Sequence, residues 1–142
     1  MLEEKWQCDR CNKMIHGAEN AWLRWKKNLN DGSFYDFKIV HHPTCEQPSP
    51  KVQRSRLAEP GDPLTEYLGK DGFIRLLELV AHTKGKDRDE LLKLIQRLHV
   101  PGYESANIHF ESAYKKGELV PPTNGVFYPT TRKIKEINEQ YN

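Results

Sequence analysis

With 142 residues, 37% hydrophobic and 30% charged, the chain has the composition of a soluble globular protein of one domain or two small ones. No apolar run approaches the ~20 residues of a membrane-spanning helix, and Met1-Leu-Glu-Glu-Lys lacks a signal-peptide core, so a cytoplasmic location is expected. A formal net charge of +2, with 7 basic against 7 acidic residues over 1–47, excludes a strongly basic chromatin-like binder, because nonspecific nucleic-acid affinity comes mainly from phosphate neutralisation. A local basic patch remains compatible with this balance.

All three cysteines lie near the N-terminus in the arrangement Cys8-x2-Cys11, thirty residues, His42-x2-Cys45. Zinc takes four thiolate or imidazole ligands in a tetrahedron, and a short x-x spacing lets both ligands of a knuckle face one ion. The pattern therefore predicts a structural zinc site at Cys8, Cys11, His42 and Cys45, with His41 as the alternative to His42. The competing reading is of reduced thiols or a redox pair. A redox motif belongs in a βαβ context, which residues 1–25 do not offer, and three cysteines cannot pair among themselves. Between the two knuckles, Ala21–Lys27 and Phe34–Val40 are β-prone runs around an Asn28–Gly32 turn, which predicts a hairpin. A module of roughly 45 residues buries little apolar surface, so metal is expected to be part of its fold.

From 47 to 63 the chain carries Pro48, Pro50, Pro60 and Pro63 with few large apolar residues, which predicts a solvated linker between a zinc module at 1–46 and a helical domain at 64–142. A first helical stretch runs from Leu64 through Val80, interrupted or kinked at Gly69 and Gly72. The second starts at an Asp87 N-cap, with Glu90 three residues on and Leu91, Leu94, Ile95 and Leu98 along one face. A third spans about Tyr103–Lys116 and ends at Gly117. A small hairpin is expected at 118–128 around Thr123-Asn-Gly125, then a final helix capped by Thr130 or Thr131. The fold class is thus α+β: a zinc-stabilised β-hairpin module followed by a mainly helical domain. The order of helices and hairpin fits either a winged helix-turn-helix or a plain bundle used for protein contact.

On its Cys-x2-Cys-x30-His-x2-Cys spacing, Ile15 and the Leu23-Arg24 pair, the stretch 6–46 resembles the zinc finger of poly(ADP-ribose) polymerases and of DNA ligases that carry the same finger, a module that looks for DNA breaks. Glu46 stands where that family commonly has an aromatic residue, and the rest of the chain is unlike a polymerase catalytic domain. The resemblance implies that Arg24, and less firmly Lys26 and Lys27, approach a nucleic-acid backbone.

An HNH-type nuclease is suggested by Val40-His-His-Pro, but such chemistry needs a further metal-binding histidine and usually a second Cys-x2-Cys. A catalytic zinc would also keep one ligand position open. The expectation is therefore a non-enzymatic zinc-binding protein that contacts DNA or RNA through Trp22, Arg24, Lys26 and Lys27. Strand alternation turns Arg24 and Lys26 outward and Trp25 inward. The alternative is a protein-binding adaptor or inhibitor, of the kind found in phage and mobile elements, docking on a host protein.

Overall fold

A computed structural model describes residues 5–46, 59–119 and 129–141. The fold is α+β, with two small antiparallel sheets and five helices among these residues. Strands β1 (Lys5–Gln7) and β2 (Met14–His16) form the first sheet and pair Trp6 with Ile15, both fully buried. The chain turns through one 3-10 helical turn, Ala18–Asn20, into β3 (Ala21–Lys27) and returns as β4 (Phe34–His41). The expected hairpin is therefore present. Its turn is closed by the Asn28 N–H donating to the Ser33 carbonyl at 2.8 Å and by Asp31 Oδ1 accepting from Ser33 N–H at 2.8 Å.

The second sheet has a third strand. β5 (Gly61–Pro63) pairs with β3, so the order is β4-β3-β5 and part of the expected linker is structural. The physical reason is that β3 would otherwise leave a row of unpaired backbone groups on its outer edge. The Trp25 N–H donates to the Pro60 carbonyl at 3.2 Å, and Pro60 before β5 and Pro63 at its end are tolerated because that strand is at the sheet edge.

Alternation along β3 buries Ala21, Leu23 and Trp25. These pack with Trp6, Ile15, Ile39 and Val40, and in the same cluster with Leu64, Tyr67, Leu76, Leu79, Leu91, Leu94 and Leu98. The hydrophobic division therefore falls near residue 100, not within 47–63. A second cluster joins Tyr103, Ala106, Ala113, Leu119, Ile134 and Ile137. The cysteine-bearing module thus shares its core with two helices, and its folding does not rest on a metal alone.

Those helices are α1 (Gly69–Ala81) and α2 (Gly85–His99). Gly72 does not kink α1. A Cβ there would collide with the backbone of Tyr67, so glycine is what lets the helix start lie against the preceding 3-10 turn. α2 begins two residues before the expected Asp87 cap, at Gly85 with a positive φ of 53°, and Asp87 sits in the first turn, where its charge suits the helix dipole. The third helix is split into α3 (Tyr103–Asn107) and α4 (Phe110–Lys115). At the break the chain tightens, with the His109 N–H donating to the Ala106 carbonyl at 2.9 Å while the His109 ring stacks on Tyr141 at 4.8 Å. Only five residues long and buried at Tyr103, Glu104 and Ala106, α3 does not present the continuous recognition helix of a winged helix-turn-helix. α5 (Thr131–Tyr141) is capped by Thr130, whose Oγ1 accepts from the Lys133 N–H at 3.3 Å. The hairpin expected at 118–128 falls, from 120 onward, outside the described residues. Among the described residues no helix is long and apolar enough to cross a membrane.

One guanidinium joins the cysteine knuckle to the helices. Arg97 of α2 donates to Asp9 Oδ2 at 2.8 Å, to the Gln7 carbonyl at 2.9 Å, and to both carboxylate oxygens of Glu104 at 2.7 and 2.8 Å. Glu104 also accepts the Gln7 N–H at 3.0 Å, and Asp9 accepts the Ile39 N–H at 2.8 Å. With only 12% and 6% of the Arg97 and Glu104 side chains exposed, truncating one partner strands a buried charge. Arg97→Ala is expected to lower unfolding free energy by about 3–5 kcal/mol. Urea titration followed by tryptophan fluorescence checks this, because Trp6 Nε1 donates to the Arg97 carbonyl at 3.1 Å.

Candidate functional site

The turn between β1 and β2 carries the first knuckle. Asn12, which accepts the left-handed conformation (φ 66°) more readily than most residues, closes it by donating its N–H to the Cys8 carbonyl at 2.9 Å. The Arg10 and Cys11 N–H groups point at Cys8 Sγ, at 3.4 and 3.5 Å. Burial by itself would push the Cys8 thiol up, but these N–H donors, with the backbone N–H of His41, favour the thiolate and bring it down to about 6. Cys45 is pushed the other way, chiefly by burial and also by the neighbouring sulfurs.

The second knuckle differs from the expected one. Cys8, Cys11, His41 and Cys45 place their ligand atoms within 4.8 Å of one another, and His42 lies outside the cluster. His41 Nδ1 is 3.3 Å from Cys11 Sγ and 3.8 Å from Cys45 Sγ. Two local rules select His41. Adjacent strand residues point to opposite faces, so only one of the two histidines can face the first knuckle. After the strand, the Cys45 N–H donates to the His41 carbonyl at 3.1 Å, a helical-type turn that sets residues four apart on one side. The spacing of the cluster is consequently Cys-x2-Cys-x29-His-x3-Cys. His42 instead stacks on Trp22 at 4.8 Å and meets the Glu46 carboxylate at 2.8 Å. Asp9 and Glu46, which stand next to Cys8 and Cys45 in the sequence, are thus both engaged.

The donor set fits a tetrahedral metal. Metal–sulfur bonds of about 2.3 Å and metal–nitrogen bonds of about 2.0 Å place ligand atoms roughly 3.3–3.8 Å apart around a tetrahedron, the range seen from His41 to the two sulfurs. His41 Nε2 lies 3.1 Å from the Met14 carbonyl, an acceptor only, so that nitrogen carries the proton and Nδ1 offers its lone pair to the cluster. Thiolates and imidazole are poor partners for calcium or magnesium and good ones for a softer divalent ion.

Against the other face of β3 and β4 lies a basic pocket of about 80 Å³, lined by Arg10, Arg24, Lys26, Lys38, Asp36, Glu59, Val40 and Trp25. Arg24 and Lys26 are here because they alternate with the buried Leu23 and Trp25, as the sequence predicted. Neither stands alone: Lys26 Nζ is 3.0 Å from Asp36 Oδ2, and Arg24 Nη2 donates to the Glu59 carbonyl at 2.9 Å. Asp36 reaches Lys26 because β4 bulges there, with Asp36 at φ 56°. The other two expected contact residues are placed elsewhere. Lys27 has the parity of Trp25 and pairs with Phe34, and Trp22 is held between His42 and the backbone of Gly61, where a Cβ would lie 2.6 Å from the indole nitrogen. Arg10 and Lys38 were not singled out from sequence. Lys38 could have been, as the cross-strand partner of Arg24; Arg10 enters the pocket from the first knuckle, where its guanidinium donates to the Cys45 carbonyl at 2.7 Å.

Compared with known proteins, the chain matches no family model, no curated protein and no solved structure.

Two outcomes follow from the cluster. Cobalt-loaded His42→Ala protein is expected to keep the visible absorption of a tetrahedral thiolate site, whereas His41→Ala loses it. In the metal-free protein the lowered Cys8 pKa stabilises the fold fully above pH ~9, and this contribution is lost as pH falls through about 6. Denaturant midpoints of metal-free wild type and Cys8→Ser between pH 6 and 9 should therefore converge toward the acid end.

Proposed function

We propose that this chain is a non-enzymatic zinc-binding protein that contacts nucleic acid through the outer face of its β3–β4 hairpin. The observation that carries this reading is the convergence of Arg10, Arg24, Lys26 and Lys38 on one face, directly beside a cluster of three thiols and one imidazole. Zinc is the ion that such a donor set most favours in a structural role, and four protein ligands leave no position for a reacting water. The cluster's part is then to hold the first knuckle, and with it Arg10, against the strands. Lysine and arginine at a backbone-facing site bind phosphate without reading sequence, which suits a chain that gathers four cations in one pocket while its net charge is only +2. The resemblance to the break-sensing finger nominates the same strand, though the cluster's x29 and x3 spacings depart from the pattern on which that resemblance rests.

A second reading has an observation of its own. On α1, Phe73, Ile74 and Leu77 are 43%, 55% and 50% exposed, an apolar face of the kind that docks on a protein partner. Salt separates the two, because phosphate contacts weaken with ionic strength and an apolar interface does so far less.

Fluorescence anisotropy of labelled duplex, nicked and single-stranded DNA tests the first reading. Zinc-loaded protein should bind at low salt. On duplex DNA, Lys26→Ala/Lys38→Ala should flatten the dependence of log K on log salt by about 0.9 for each phosphate that the variant no longer neutralises. Absence of binding at low salt contradicts the reading and directs attention to α1.

A further inference from the structure

The basic pocket already contains an anion. Glu59, with 10% of its side chain exposed, places Oε1 3.7 Å from Arg24 Nε, too far for a hydrogen bond. Arg24 Nε is buried and has no hydrogen-bond partner among the described residues. A buried guanidinium N–H without a protein acceptor is costly unless a water or a ligand completes it, and an oxyanion is an acceptor suited to its charge. The charges point the same way: among the described residues four cationic side chains line the pocket against two carboxylates, and Asp36 is shared between Lys26 at 3.0 Å and Lys38 at 3.7 Å. Burial lowers the pKa of Arg24 and nearby Arg10 lowers it further, while Glu59 compensates only in part. At about 80 Å³ the space is several times what one water requires, enough for one small oxyanion.

We propose that this pocket is a phosphate-group site in which the Glu59 carboxylate is a resident, displaceable competitor, so that the chain itself restrains anion binding. Glu59 can leave without dismantling the sheet. Its link to Arg24 Nη2 is through the backbone carbonyl, and β5 is secured separately by its pairing with β3. A phosphate offers several strong acceptors where Glu59 supplies one poorly placed oxygen, and arginine binds such a group in a planar, two-pronged fashion. The same chemistry is found on free phosphate and on a nucleic-acid backbone. That the pocket serves nucleic acid rests on the reading above; that it takes a phosphate group does not.

The test compares wild type, Glu59→Gln and Lys26→Gln/Lys38→Gln, all zinc-loaded, with two probes. Inorganic phosphate is titrated by heteronuclear NMR at fixed ionic strength, and a labelled oligonucleotide by anisotropy. Glu59→Gln keeps the backbone carbonyl and removes only the competing charge, so it should bind phosphate about fivefold more tightly, the effect of one partly exposed ion pair, with the largest shifts at Arg10, Arg24 and Lys38. Lys26→Gln/Lys38→Gln should weaken it. Tighter binding of both probes supports the pocket and its use on nucleic acid. Tighter phosphate binding with no oligonucleotide binding upholds the pocket and overturns the nucleic-acid reading. Phosphate affinity unchanged or weakened in Glu59→Gln, or shifts that avoid these residues, overturns the inference even where wild type binds the oligonucleotide.

Discussion

The two-residue period of a β-strand is the constraint on which the rest of this structure depends. Along β3 it sends Leu23 and Trp25 into the core and leaves Arg24 and Lys26 on the opposite face. Where β4 ends, it separates two adjacent histidines, giving His41 to the cysteines and His42 to Trp22. A register slip of one residue would exchange both pairs at once, burying cations and removing the imidazole from the cluster. Register is therefore fixed from two directions, by apolar burial on one face and by ligand geometry at the strand end.

Packing energetics explain why the N-terminal module is not a free-standing finger. Its strands share one hydrophobic cluster with α1 and α2, and Arg97 ties the backbone of the first knuckle to α2 and α3 through charge-assisted hydrogen bonds. Asp9, which lies between the two cysteines of that knuckle, accepts from both Arg97 and the Ile39 N–H. The cysteine–histidine cluster and the helix packing consequently draw on the same few residues. The basic pocket is assembled across these supports, with Arg10 from the knuckle, Arg24 and Lys26 from β3, Lys38 from β4, and Glu59 from the approach to β5.

Much of this was legible in the residue pattern where a local rule governs. The hairpin, the clustering of the three cysteines, the inward Trp25 and the buried face Leu91, Leu94 and Leu98 all follow from period or spacing. What escaped is what depends on distant parts of the chain. β5 is Gly-Asp-Pro, with a second proline just before it and no apolar run, and it is a strand only because β3 has an open edge. Asp87 has the pattern of a cap, but the chain turns two residues earlier at Gly85. The choice of His42 assumed symmetric x-x knuckles, whereas strand parity and the Cys45-to-His41 turn impose an x3 spacing. Gly72 looked like a helix breaker because its role, closeness to the Tyr67 backbone, is tertiary.

Strand parity brings three sulfurs and one imidazole nitrogen, His41 Nδ1, together into a four-donor site. X-ray absorption at the zinc edge of the purified protein reads that donor set. One zinc per chain is expected, with three sulfurs at about 2.3 Å and one nitrogen at about 2.0 Å, unchanged in His42→Ala. A spectrum with fewer than three sulfurs, an added oxygen ligand, or a nitrogen lost on replacing His42 would contradict it.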